Sequence, residues 1–465
     1  MKKNIIYMAS AVLIGTAMLA SCSNDNGNVI ENGKAVVTAK AVVGDAATTR
    51  VSYTEQGNTE NSYKAGVTAA WESGDVLQAF ETNSGTVTTC TFSTTGTTAQ
   101  ANFTSTNAAA TSSSTEWKAL YGTGATVAGT TITCGYDGQD GTLTNLKKYD
   151  YMIATGSGTT PSFDFSTGTR LSYFIRLKLP ASIKTIELNT SGTWTVTSTA
   201  NTAPTPTTST VTTVTLGTAS TAGDIAYIAV PAIDYSTVGL IVTIFNTDKN
   251  KSQGKVLVTN LSSKGGSITT LDMSGLTLMD RPTTTIDLGT TLGKWAPFNV
   301  GAKPAPTNAT EAYGNYYMRG LTEPFDKNKT PYNGTEDISG TRYDVARVKW
   351  GRNWKMPTKT ILESLITNNE VRYYKIGSLY KVSPYNNIPN GIAGNTYTAN
   401  GNTLFLPAAG GSSYSNSTVY KLSDGYYWSS SYDDGNSYLS FGDQSTSIVD
   451  ASFTYGFSVR PIYSE

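Results

Sequence analysis

The chain has 465 residues, with 34 basic and 34 acidic side chains, so its formal charge is zero and only 15% of it is charged. A balanced, sparsely charged chain of this length makes two or three domains and offers no electrostatic footprint for nucleic acid. It contains no histidine, which excludes Ser-His-Asp and Cys-His catalysis, His-ligated zinc and the ordinary neutral-pH general base.

Lys2 and Lys3 precede an apolar run over residues 5–20 that is too short for a comfortable membrane span. The run ends in "LASC", closing on Cys22. A small residue before Cys, after a Leu, resembles the lipobox of bacterial lipoproteins, which implies a signal peptide over 1–21 and diacylation of Cys22. The alternative is an ordinary signal peptide with an incidental cysteine. Residues 22–33 are polar and turn-rich, as in a flexible tether. "KAVVTAKAVV" (34–43) then places Val37, Ala39, Ala41 and Val43 on one face at period two, which predicts a strand. "GDAATTR" breaks it at Arg50.

From Val51 onward short apolar runs alternate with Gly, Asn and Thr clusters, as in "GVTAAWESGDVLQAF" (66–80) and "LKKYDYMIATG" (146–156). Stronger strands follow in "RLSYFIRLKLP" (170–180), "DIAYIAVP" (224–231) and "GLIVTIFN" (239–246). Regular short strands with frequent turn signals predict a mainly β protein, with β-sandwich-like domains over 34–160 and 161–280. Cys90 and Cys134 each sit in a Thr-rich strand, and two readings stand open: a disulfide between them, or two buried thiols.

At "LMDRPTTTIDLG" (278–289) the character changes, and four of the seven tryptophans follow it. "RYDVARVKWG" (342–351) predicts a short helix that Asp344 can cap. In "PTKTILESLI" (357–366), Ile361, Leu362, Leu365 and Ile366 form one apolar helical face, capped by Thr358 or by a box from Thr360 to Glu363. Strands return in "NTLFLPAAG" (402–410), "YYWSSSY" (426–432) and "GFSVRPIYSE" (456–465).

The order "TTRVSYTE", "AAWESGDVLQAF", "LKKYDYMIA", "FIRLKLPASIKTIEL" and "DIAYIAVPA" behind a lipobox resembles the fimbrillin family, the precursors of type V pili. The resemblance covers roughly residues 35–279 and implies two tandem β domains assembled by donor-strand exchange. A trypsin-like protease would cut between Arg50 and Val51 and remove the strand over 34–50. A neighbouring pilin subunit would then supply its replacement, a case of β-augmentation. The plainer alternative is an ordinary surface Arg50 before a strand.

The order "IDLGTTLGKWAPFNVGA", "EAYGNYYMRG", "RYDVARVKWGRNWKMPTKTILESLI", "NTLFLPAAGG", "YYWSSSY" and "FSVRPI" is similar to bacterial surface domains with the C-type-lectin-like fold. This implies an α+β domain over 281–465, in which two helices pack on a mixed sheet around Trp350, Trp354 and Trp428. Three polar-aromatic loops, over 410–420, 431–438 and 442–456, have the composition of adaptable recognition surfaces. Their candidate ligand-binding residues are Tyr414, Asn416, Tyr432, Asp433, Asp434, Asn436 and Tyr438. Asp433, Asp434 and Asn436 offer too few oxygens for a hard cation, which takes about six to eight, so neither a metal nor a cofactor is expected.

These readings combine into a non-enzymatic adhesin at the outer membrane or cell surface, probing host or bacterial glycan or protein from the tip of a fimbrium. Its partners would be other pilin subunits and, before processing, the membrane reached through the lipid anchor. The competing readings are an uncut, lipid-anchored binder of the same ligands and a carbohydrate-active surface enzyme.

Overall fold

The computed structural model describes residues 116–157, 162–165, 168–189, 191–197, 203–207, 210–263, 265–289, 293–374, 392–413, 416–420, 422–433 and 435–465, together with strand segments at 37–42, 54–55, 67–68, 76–81, 89–93 and 100–105. Cys22, Arg50, Val51, Tyr414 and Asp434 lie outside the described residues, as do the side chains of Cys90 and Asn416.

The protein is mainly β, as its composition predicts, and its sheets are stacked in layers. The first is an eight-stranded sheet. It contains β1 (Val37–Val42), β2 (Gln100–Ser105) and β3 (Ser162–Asp164), with strands at Thr89–Ser93, Val76–Glu81, Glu116–Tyr121, Met152–Ser157 and Thr169–Arg170. It therefore runs past residue 160, where a domain boundary is expected from the sequence. A four-stranded sheet also crosses that boundary, because Thr131–Cys134 pairs antiparallel with Thr193–Thr197.

The next layer is a three-stranded sheet centred on Ser172–Lys178. Six successive residues of this strand are buried, the polar Ser172 and Arg176 among them, which gives an unbroken buried run across "SYFIRL". Such a run is what a strand covered on both faces needs. Phe174 packs with Phe80, Leu120 and Ile132 of the first domain. Tyr173, Ile175 and Leu177 face the other way, into a core closed by a five-stranded sheet. That sheet includes β4 (Ile183–Asn189), β5 (Leu240–Asn246) and β6 (Lys251–Leu257). Leu240, Val242 and Ile244 line the same core, leaving the alternate residues of β5 on the opposite face.

Against that opposite face lies α1 (Val345–Trp350), a helix of the terminal domain. An α-helix leaves its last four carbonyls without intrahelical donors. Here Arg347 O accepts Gly351 N within the turn. Two of the other three are met from the neighbouring domain, Thr243 Oγ1 donating to Val348 O at 3.1 Å and Ser252 Oγ to Lys349 O at 2.6 Å, and the third from the joining segment, Arg281 Nε donating to Trp350 O at 2.7 Å. Gly254 makes this approach possible, since a Cβ there would stand 1.9 Å from Val348 O.

Asp344 caps α1 and does more than the sequence suggests. Its Oδ1 accepts from Ala346 N and Arg347 N, and its Oδ2 from Gly340 N and Met356 N, with no exposure to solvent. The two Oδ2 contacts tie α1 to β7 (Trp354–Lys355) and the loop before the helix. Trp350, Trp354 and Trp428 share one core with Phe298 and Val459. The second helix, α2 (Lys359–Thr367), is capped by Thr358 Oγ1 accepting Ile361 N at 3.3 Å. Leu362 and Leu365 enter a separate core with Tyr427, Leu439 and Phe441.

A three-stranded sheet separates these two cores: β8 (Gly425–Tyr432), β9 (Asn436–Phe441) and β10 (Thr446–Ala451). Tyr426, Trp428 and Tyr438 belong to the first core, and Tyr427, Leu439 and Phe441 to the second. This is the period-two alternation of a sheet covered on both sides.

Candidate functional sites: a seated strand and a hairpin face

The strand expected to be removable is β1, and it lies inside the first sheet. It pairs antiparallel with β2, from Val37 opposite Ser105 to Val42 opposite Gln100. On its other side it pairs parallel with β3, through Lys40, Ala41 and Val42 opposite Ser162, Phe163 and Asp164. Phe163 of β3, which pairs opposite Ala41, is fully buried. Among the described residues, the strand β3 has no strand neighbour other than β1. Withdrawing β1 would leave unpaired backbone donors and acceptors on both β2 and β3.

The two cysteines stand in different sheets. Cys90 pairs opposite Ala79 in the first sheet, whereas Cys134 pairs opposite Trp194 in the four-stranded one. Cys134 is a free, buried thiol, and burial pushes its pKa up to about 12. The side chain of Cys90, the other half of the disulfide reading, lies outside the described residues.

The candidate binding loops of the terminal domain form three hairpins. In the β8–β9 hairpin, Asp433 is exposed and reaches Lys359 Nζ on α2 at 3.4 Å. Tyr432 lies under the Arg319 guanidinium, 5.9 Å from ring centroid to cation. Arg319 is itself fully buried, donating to the carbonyls of Gly334, Glu336 and Ser430.

Asn436 departs from expectation. It is 3% exposed, and its Nδ2 donates to Ala451 O at 3.2 Å across the sheet. It braces the hairpin from within, as does Ser437 Oγ donating to Asp450 Oδ1 at 2.9 Å. Tyr438 is half-buried in an aromatic cluster, with ring centroids 4.7 Å from Phe457 and 6.0 Å from both Trp428 and Tyr426. Burial first, then Tyr455 and Asp450, holds its hydroxyl above the usual tyrosine value.

The residues that do face outward include several that the sequence reading passed over. Val419, Leu422, Val449 and Phe453 are four of the seven exposed large hydrophobic residues among those described, so apolar exposure concentrates on these hairpins. Val449 stands opposite Tyr438 in the ladder, and Tyr455 stacks on Phe457 with centroids 5.5 Å apart. The outermost strand β10 has no neighbour on its far side among the described residues. The sequence signal was the "SIVDASFTY" run (447–455), where apolar side chains persist through a segment otherwise rich in turn residues.

No family model matches the chain, and no curated protein is similar to it. Solved structures of three proteins, each described as a candidate cell adhesion protein, are similar to parts of it. The one from Bacteroides uniformis is 16% identical, with 52% of this chain and 95% of that chain covered at a TM-score of 0.33. The one from Bacteroides ovatus is 13% identical, with 49% and 92% covered at 0.30. The one from Bacteroides fragilis is 11% identical, with 53% and 98% covered at 0.27.

Proposed function

We propose that this protein is a cell-surface adhesin of the fimbrillin type, exported as a lipoprotein through Cys22. Removal of residues 34–50 opens the first sheet to a strand from a neighbouring subunit, and the terminal hairpins carry the ligand-binding surface. The observation that carries this reading is the interior position of β1. A removable edge strand would leave a sheet one strand shorter, while loss of β1 leaves a slot with ladders to satisfy on both sides. The chain's last strand, Ile462–Tyr463, pairs with both Lys294–Trp295 and β7 inside its own domain.

A second reading draws on the same strand. With β1 seated the first sheet is complete, so the uncut chain can itself be the end product: a lipid-tethered surface binder of glycan or protein. N-terminal sequencing and intact mass of the protein recovered from native cells separate the two. A lipid-free chain beginning at Val51 and sedimenting with polymer supports the fimbrial subunit. A chain beginning at diacylated Cys22 removes the strand-exchange step and leaves the tethered binder.

A further inference from the structure

Away from the hairpins, a cleft of about 590 Å3 opens where the second β domain meets the terminal domain. Val211 lines it from the strand beside β4, and Arg347, Arg352, Asn353, Ser464 and Glu465 line it from the terminal domain. Its volume falls in the range of small-ligand sites.

The charges around it are unevenly matched. Arg347 lies half-buried on α1, its Nη1 donating to Arg352 O. Its Nε is buried and has no hydrogen-bond partner. Arg352 is exposed at the mouth, close enough to Arg347 for the two cations to repel. Glu187 and Asp344 attract Arg347 from nearby, but their oxygens also accept from other donors. Glu187 Oε1 accepts from Arg352 N at 2.7 Å and from Asn189 Nδ2 at 2.8 Å. Glu465 Oε1 accepts from Lys294 Nζ at 3.1 Å, and Asp344 is spent on its four backbone donors. Asn353 donates to Tyr463 Oη, a bond that leaves its amide oxygen available to accept.

Two neighbouring guanidiniums, one with a stranded buried donor, gain most from a shared anion that accepts from both. Asn353 and the Ser464 hydroxyl beside them can hydrogen-bond a ring hydroxyl. We infer that this cleft is a second binding site, selective for an acidic sugar whose carboxylate or sulfate bridges Arg347 and Arg352.

The test is calorimetric titration of the purified full chain with three disaccharides of the same linkage: one uronic acid, one sulfated and one uncharged. At least one charged sugar binds and the uncharged one does not, and binding weakens as salt is raised. The preferred charged probe identifies the anion. Arg352→Gln and Arg352→Glu, both at an exposed position, lower the affinity by about tenfold or more, as expected for loss of one charge-assisted contact, with the melting temperature unchanged. Lys329→Glu, on an exposed turn elsewhere in the domain, controls for net charge, and Phe453→Ser controls for the hairpin face. Neither control should alter the affinity. Failure of both charged sugars to bind, equal binding of the uncharged one, or an equal loss with Lys329→Glu or Phe453→Ser overturns the assignment.

Discussion

Replacing Asp344 with asparagine exchanges one oxygen for an NH2 group and should be felt throughout the junction of α1 and β7. Each carboxylate oxygen accepts two backbone N–H groups: Ala346 and Arg347 on one side, Gly340 and Met356 on the other. Whichever way an amide is turned, its NH2 points at two N–H donors, so two hydrogen bonds are lost and donor faces donor in their place. Hydrogen bonds to a charged acceptor contribute about 1.5–3 kcal/mol each. Against this, the neutral amide escapes the cost of burying a charge. We expect a net loss of about 2 kcal/mol at pH 7, below the sum for two such bonds.

The pH dependence gives an independent check. Burial pushes the Asp344 carboxyl from 3.8 up to about 6, with the four N–H donors opposing. A folded pKa above the unfolded one means that the native state binds the proton first. The contribution is therefore full below about 3.8 and is lost as pH rises through 6. Acidification from pH 7 to pH 5 should stabilise the protein through this group by about 1 kcal/mol. Asp344→Asn should lack that gain, so the gap between the two proteins widens at pH 5. Urea unfolding followed by tryptophan fluorescence at both pH values measures it. A variant as stable as the parent at pH 7, or a gap that narrows at pH 5, would refute the reasoning.

Gly254→Val forces β6 and α1 apart at a backbone contact that cannot rotate away. It should cost at least about 1–3 kcal/mol and split one calorimetric transition into two, whereas a single unchanged transition would mean that the contact is dispensable. Val449→Ser and Phe453→Ser remove exposed side chains, so stability should hold within about 0.5 kcal/mol while adhesion of the recombinant protein to its ligand surface falls. Cys134 should resist a maleimide at pH 8 in the native protein and react on unfolding, as peptide mass spectrometry will show. Its modification in the native state would contradict the burial.

Local chemistry was the legible part of the sequence. The Asp344 and Thr358 caps lie within three residues of the helix N–H groups they accept from, and "RLSYFIRLKLP" reads as the strand that Ser172–Lys178 forms. Pairings between distant segments were not legible. Nothing in "TITCG" (131–135) says that it pairs with Thr193–Thr197, so a boundary near 160 looked natural where two sheets pass through it. Thr243 and Ser252 read as ordinary polar residues of half-covered strands, and only the fold reveals that they serve another domain's helix. Asn436 sits in "DDGN", a turn by composition, yet its amide is turned inward to bridge β9 and β10. In each case the deciding partner is far away in sequence.

The capping of α1 by its neighbour also bears on mechanics. The segment joining the two domains is itself zipped to the sheet, with Met279 and Asp280 paired to Ser252 and Lys251 and Arg281 N donating to Asn250 O. The terminal domain thus meets its neighbour through several short bonds set side by side, with the joining segment paired along the same sheet. The terminal domain is held at a fixed bearing, as a tool is held in a chuck. Torque applied at the hairpins passes through α1 into β5 and β6, and from β5 into the core it shares with the strand Ser172–Lys178.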